Sequence, residues 1–403
     1  MKKKDVVASG GIVETMKRSI NRILTTHVGS LPRSPDMIDL MRAVGRGEPF
    51  DARRRDEMVK TAVFDAVARQ IETGVDIVSD GEMGKPGFIN YANDRLGGFE
   101  RAPANTKSMW SGTRETNAFP EFYESEIKNI DRRLRMQCVA PITYKGHALI
   151  QEDIRLLKSA LAGKRYEDIF VPSVSPSLLA NYQRNLFYKT NEEYVFAVAE
   201  AMREEYLAIV DAACIVQIDD PGLLSHHMRN PDLTMEEWRK WADMQVAALN
   251  NALRGIPPDQ IRHHTCHGIN MGPRVHEMEF KDHVEIVLKI NAGGYSFEAA
   301  NPRHEHEWRV WETLKLPAGK VIIPGVVTQS SVLVEHPVLV ADRIERFANL
   351  VGRENVIAST DCGFASSATS QEIHPTVVWA KFDALVEGAR IASQRLWKSQ
   401  KVA

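Results

Sequence analysis

Cysteine is scarce in this chain. Cys138, Cys214, Cys266 and Cys362 are the only four in 403 residues, too few and too scattered for a disulfide framework. Metal-binding or inert thiols in a cytoplasmic protein are expected instead. No apolar run approaches the length of a membrane span. The basic start Met1-Lys2-Lys3-Lys4 is followed by no continuous apolar stretch, which argues against a secretory signal. An excess of one charge is also missing: 51 basic residues face 53 acidic ones, for a net of −2. Neither nucleic acid nor an anionic membrane is therefore an expected partner. Solenoid repeats and low-complexity segments are absent as well.

What the chain does have is a recurrent alternation of short apolar runs with amphipathic stretches. Residues 1–20 read as an extension, with a short helix expected from Ile12 to Ile20. The first strand candidate is Arg22–His27, broken by Gly29 and Pro32. A helix over Arg53–Glu72 carries Val59, Ala62, Val63, Ala66, Val67 and Ile71 at helical spacing, and Gly74 stops it before strand two, Val75–Glu82. Residues 83–134 break the rhythm with aromatics scattered among Gly, Pro and charge. Such an insertion serves as a lid, a binding loop or an oligomer contact, so a homo-oligomer stays open. Further strands are expected at Leu134–Thr143, Ala213–Pro221, Gln260–Cys266, Gly294–Glu298, Gly319–Val327 and Asn355–Thr360. A closing helix bears Val378, Phe382, Leu385, Ala389, Ala392 and Leu396 on one face. Eight strands separated by helices predict one (β/α)₈ TIM barrel over residues 21–403, with an N-terminal extension and a long insertion after strand two.

In such a barrel the chemistry gathers at the C-terminal strand ends, here Ser30, Glu82, Thr143, Asp219, His264, Cys266, Glu298 and Cys362. His264, Cys266, Glu298 and Cys362 offer one nitrogen, two thiolates and one carboxylate. That is a tetrahedral zinc set with the carboxylate as its most exchangeable member. His263 and His267 are rivals for the nitrogen, but on a strand His264 projects to the side of Cys266 and the other two to the opposite side. Any one of these residues has a plainer use as a core thiol or a satisfied hydrogen bonder. It is their convergence from three strands that speaks for a metal. Cys138 and Cys214, inside apolar strands, read as core. Glu82 and Asp219 read either as solvated strand-end carboxylates or as a pair that receives a substrate ammonium group. Arg303–Glu307 reads equally as a solvated helix start or as a substrate contact. Ser330 and Ser331 read as loop hydrogen bonders.

The segments Val28-Gly29-Ser30-Leu31-Pro32, Asp80-Gly81-Glu82, Pro141-Ile142-Thr143, Gln217-Ile218-Asp219-Asp220-Pro221, His264-Thr265-Cys266, Glu298 and Asp361-Cys362-Gly363 occur in one order. In that order they resemble the C-terminal catalytic barrel of the cobalamin-independent methionine synthase family. The resemblance runs from about Arg22 to Ala392. It implies zinc on His264, Cys266, Glu298 and Cys362, and homocysteine held by Ser30, Glu82 and Asp219. It also implies methionine biosynthesis, with a folate or other compound as methyl donor. Three departures stand out. The chain is too short for the second, folate-holding barrel of those synthases. Where they carry Asp-Ile-His-Ser, with a histidine thought to protonate the departing folate, this chain has Thr328-Gln329-Ser330-Ser331. The long insertion after Glu82 also differs. Short homologues of this barrel include the epoxyalkane:coenzyme M transferases, in which zinc activates a different thiol against an epoxide.

Three functions follow as expectations. The first is a zinc-dependent thiol alkyltransferase that methylates homocysteine or a similar thiol, with Glu298 giving way to the incoming sulfur and His264 among the catalytic groups. The second is a thiol–epoxide transferase of the coenzyme M type. The third is a non-catalytic zinc- or thiol-binding barrel. Two cysteine thiolates already neutralise zinc, so the site suits an electron-rich sulfur better than hydrolysis. A carboxylate pair favours an amino-bearing thiol, whereas a sulfonated one would call for Arg or Lys.

Overall fold

The computed structural model describes residues 16–46, 48–103, 106, 110–130, 135–268, 272–365, 367–368 and 372–398. Eleven strands follow one another along these residues: β1 (Leu24–Thr25), β2 (Ile77–Val78), β3 (Leu96–Arg101), β4 (Met136–Tyr144), β5 (Asp168–Val174), β6 (Arg184–Asn185), β7 (Ile215–Asp219), β8 (Ile261–Thr265), β9 (Gly294–Phe297), β10 (Val321–Val327) and β11 (Ile357–Thr360). Eight of them form one parallel sheet in the order β1-β11-β10-β9-β8-β7-β5-β2. The two ends of that row meet through Asp76 N–H donating to Thr25 O at 3.2 Å and Thr26 Oγ1 donating to Ile77 O at 3.0 Å. A nearly closed (β/α)₈ barrel results, as the alternation of runs predicts.

Local chemistry sets the helices. Asp51 caps Ala52–Thr73 by accepting from Arg53 N and Arg54 N, and Gly74 ends that helix at φ 95°. The helix turns Val63, Ala66, Val67 and Gln70 inward. The closing helix, Pro375–Lys398, buries Val378, Phe382, Leu385, Ala389 and Ala392 as its periodicity predicts. Inside the barrel floor, Leu24, Ile77, Phe170, Ile215, Val321, Ile323 and Ile357 form a closed apolar plug with Met16. The expected helix from Ile12 to Ile20 is corrected here. Residues 12–15 lie outside the described residues, and 16–20 are not helical. Met16 instead seals the floor, its N–H bonded to Asp259 O at 3.1 Å. Among the described residues no helix is long and apolar enough to cross a membrane.

One strand assignment also changes. Leu134–Thr143 was expected as the third barrel strand. Residue 134 lies outside the described residues, and β4 pairs antiparallel with β3 and parallel with β6 in a separate three-stranded sheet. Thr143 therefore faces Gly97 in that sheet rather than the barrel mouth. The third barrel strand is β5, whose hydrogen bonds run to β2 and β7. The excursion between β2 and β5 is anchored on Glu205, a fully buried carboxylate of the helix Asn191–Asp211. It accepts from Tyr91 Oη at 3.0 Å, Arg95 Nη1 at 2.9 Å and Tyr144 Oη at 2.9 Å.

Candidate metal centre

The strand β8 is buried along its whole length, so its alternation decides which groups look inward. Arg262 reaches across the interior and donates to Gln217 Oε1 at 2.6 Å, Thr26 Oγ1 at 3.0 Å and His27 O at 2.6 Å. Burial lowers its pKa to about 9. Two residues on, His264 stands at the mouth. Its Nδ1 meets Ser296 Oγ of β9 at 3.1 Å, and its Nε2 is buried with no hydrogen-bond partner. Burial holds the ring pKa down to about 3, so Nε2 is a neutral lone-pair donor. His263 points away, 3.6 Å from Asp220.

Cys266 follows β8 and Cys362 follows β11, and their sulfurs lie 3.5 Å apart. The ligand atoms of His264, Cys266 and Cys362 all lie within 4.8 Å of one another. The contact with Cys362, together with burial, pushes the Cys266 thiol well up. Two buried sulfurs so close cannot both be thiolates without a cation between them. An orphaned imidazole nitrogen beside them completes a set of soft and borderline donors, which fits zinc. Gly268 N–H points at Cys266 Sγ from 3.3 Å, as a donor to a thiolate does.

Glu298 belongs to a second buried group with His267 and His304. Its Oε1 accepts from His267 N at 2.9 Å, and its Oε2 accepts from Asn301 Nδ2 at 2.8 Å and from Arg274 Nη2. Burial alone would raise this carboxyl; the Arg274 guanidinium and His267 hold it well below the usual range. Thus three of the four expected ligands converge, and the fourth sits beside them on an arginine. The loop carrying it is shaped by Asp361, whose oxygens accept from Ala299 N, Ala300 N and Asn301 N at 2.7 to 2.9 Å. His267 stacks on His304 at 4.7 Å and 5°. His304 spends both nitrogens on Glu277 (2.9 Å) and Glu307 (2.8 Å); burial opposes its protonation, but these carboxylates raise it to about 10. Arg274 pairs with Glu298 and Glu277, and His304 spends both nitrogens on carboxylates, so this second group is held together as a buried ion network. The alternatives held open for Arg303–Glu307 thus resolve at His304 and Glu307 into burial.

The mouth opens into a pocket lined by Val28, Ser30, Glu82, Phe88, Asp219, Pro221, His264, Cys266, Gly268, Cys362 and Gly363. Ser30, Glu82 and Asp219 therefore share one cavity with the sulfur pair. Glu82 adopts φ 58°, a left-handed conformation that is costly for a residue with a side chain. Asp80 Oδ1 accepting from Glu82 N at 2.9 Å and Lys85 N donating to Glu82 O at 3.1 Å hold it there. Burial and then the neighbouring Glu82 push the Asp219 carboxyl well above its usual value. Sequence reasoning missed two groups in this neighbourhood. Lys85 is buried, 3.4 Å from Glu82 Oε1, and is fixed by Pro172 O at 2.6 Å. Arg274 lies in a loop without periodicity, and its only local signal is the Gly272-Pro273 pair before it.

The family model described as the cobalamin-independent synthase catalytic domain matches residues 23–158 and 179–381. A methionine synthase of Thermococcus kodakarensis is 23% identical over 383 residues, covering 94% of this chain and 96% of its own. One of Saccharolobus solfataricus is 24% identical, covering 92% and 95%. Among solved structures, a B12-independent methionine synthase from Shewanella sp. W3-18-1, in complex with selenomethionine, superposes with a TM-score of 0.70 at 19% identity, covering 94% of this chain and 99% of that one. A putative vitamin-B12 independent methionine synthase from Listeria monocytogenes gives 0.64 at 20% identity, covering 92% and 99%. These two share the fold described above. With the family model spanning most of its length, this chain belongs to the cobalamin-independent synthase catalytic-domain family.

Proposed function

We propose that this protein is a zinc-dependent thiol alkyltransferase that methylates homocysteine or a similar small thiol. The observation that carries the proposal is the convergence of His264 Nε2 with the Cys266 and Cys362 sulfurs at the wall of a pocket that also holds Ser30, Glu82 and Asp219. Methionine synthases among the relatives support the same reading. His264, Cys266 and Cys362 would hold the ion, with Glu298 as the exchangeable fourth ligand. When bound there, zinc would favour the thiolate form of a substrate whose free thiol has a pKa of about 8.5.

The chain's own groups do the rest. Two acids, Glu82 and Asp219, face one cavity, and Lys85, held by Pro172 O at 2.6 Å, lies 3.4 Å from Glu82. Burial and then the repulsion of Glu82 push the Asp219 carboxyl well above its usual value. A substrate ammonium group would relieve that repulsion, so the pocket suits an amino-bearing thiol. Ser30 offers its hydroxyl at the same wall. A thiol–epoxide transferase is the second reading; it would need Lys85, which lies outside the pocket lining and is held by Glu82 and Pro172 O, to be freed for a sulfonate. A merely structural metal barrel has no use for a strained carboxylate at a solvent-reaching cavity.

The test measures alkylation of homocysteine and of coenzyme M, against methyl donors and short epoxides, in Cys362→Ser and Glu298→Ala. At least about a hundredfold loss is expected in Cys362→Ser, as loss of a metal ligand entails. Turnover unchanged in both variants excludes the proposed mechanism, and turnover with coenzyme M alone selects the second reading.

A further inference from the structure

Glu298 is the carboxylate assigned above to the exchangeable position, yet it rests against Arg274. That arginine is set for the task. It is buried, and it adopts φ 60°, a left-handed conformation unfavourable for its side chain. Its Nε is fixed by both oxygens of Glu277, at 2.7 and 2.9 Å, and its Nη1 by Ser330 Oγ at 2.9 Å. Only Nη2 is turned to Glu298. The flanking backbone is pinned from the insertion: Glu115 accepts from Val275 N at 2.9 Å and His276 N at 3.0 Å. Ser330 belongs to Thr328–Ser331, the run that follows β10, so the arginine is tied to that strand end as well.

We propose that Arg274 is a positioning residue, the second holder of the Glu298 carboxylate, and that it competes with the metal for it. Accepting from Arg274, Asn301 and the His267 N–H, the carboxylate is satisfied without a cation at the sulfur pair. Because His267 adjoins Cys266, that resting place borders the three converging ligands. Arg274 thereby lowers the cost of removing Glu298 and opens the fourth position to a thiol. With zinc held by His264, Cys266 and Cys362, the exchange would be a ligand substitution in which the Glu298 oxygen gives way to the thiol sulfur, the thiol proton passes to solvent, and nothing is oxidised. This inference rests on the proposed thiol-binding role.

The test uses zinc-loaded full-length protein, with calorimetric titration by homocysteine and zinc-edge X-ray absorption at each end point. Arg274→Gln keeps much of the side-chain volume without the charge, and Arg274→Lys restores the charge. In Arg274→Gln the half-saturating homocysteine concentration is expected to rise about tenfold or more, with an oxygen retained at sub-saturating thiol. Arg274→Lys is expected to recover part of that shift. If Arg274→Gln fails to fold, Ser330→Ala removes one anchor and is expected to shift the titration the same way by less. Equal titrations in wild type and Arg274→Gln (or Ser330→Ala) overturn the role of Arg274 while leaving the thiol-binding role intact. A zinc-loaded wild type that takes up no thiol sulfur overturns both.

Discussion

Gly363 illustrates how tightly single residues are committed at the mouth. A Cβ built there would lie 2.1 Å from Ser30 Oγ, inside any allowed contact. Gly363→Ala is therefore expected to displace Ser30 or the Cys362 loop, costing about 1–3 kcal/mol in urea denaturation and weakening homocysteine binding in a titration. An alanine variant with wild-type stability and binding would mean that the loop yields freely. The metal-competent residues were legible because each ends a strand: His264 and Cys266 share a side by the two-residue period, and Cys362 ends the last strand run. Arg274 and Lys85 were not legible. Each lies in an aperiodic loop, and its role comes from long-range partners, Glu298 and Ser330 for one, Pro172 for the other.

At the scale of elements, the barrel is closed by polar ties as much as by ladders. His27, just past β1, has Nε2 2.7 Å from Gln70 Oε1 and sits edge-on to Phe170 and Phe382. Burial depresses its pKa from 6.5 to about 3. Between those values the unfolded chain binds a proton that the folded one refuses. Stability from this residue is thus complete above pH 6.5 and declines as pH falls toward 3, by about 1.4 kcal/mol per pH unit. His27→Gln, which keeps a donor for Gln70 and cannot be protonated, should flatten the acid limb of a stability–pH curve from chemical denaturation. An unchanged acid limb would assign that limb to other groups. The strand runs were readable from apolar patterning, as at β7 and β10, where every residue is buried. Which sheet a strand joins was not. The run at Met136–Tyr144 is a strand, but its partners, Leu96–Arg101 and Arg184–Asn185, lie far from it in sequence. Asp168–Val174 is the strand that enters the barrel, and its apolar run Ile169-Phe170-Val171 was not read as one.

Taken whole, the molecule is a barrel whose inserted segment is bound back onto it at two buried acids. Glu205 gathers Tyr91, Arg95 and Tyr144 beneath the excursion, and Glu115 carries the insertion to the loop of Arg274. Such an arrangement brings residues far apart in sequence to one cavity, and the proposed function depends on that cavity binding a metal and then a thiol. The most direct measurement is zinc content with zinc-edge X-ray absorption, before and after homocysteine is added. One zinc per chain is expected, coordinated by the sulfurs of Cys266 and Cys362, gaining one further sulfur and losing one oxygen when the thiol arrives. Protein that binds no zinc, or zinc whose shell stays unchanged with both homocysteine and coenzyme M, would contradict thiol activation at this site.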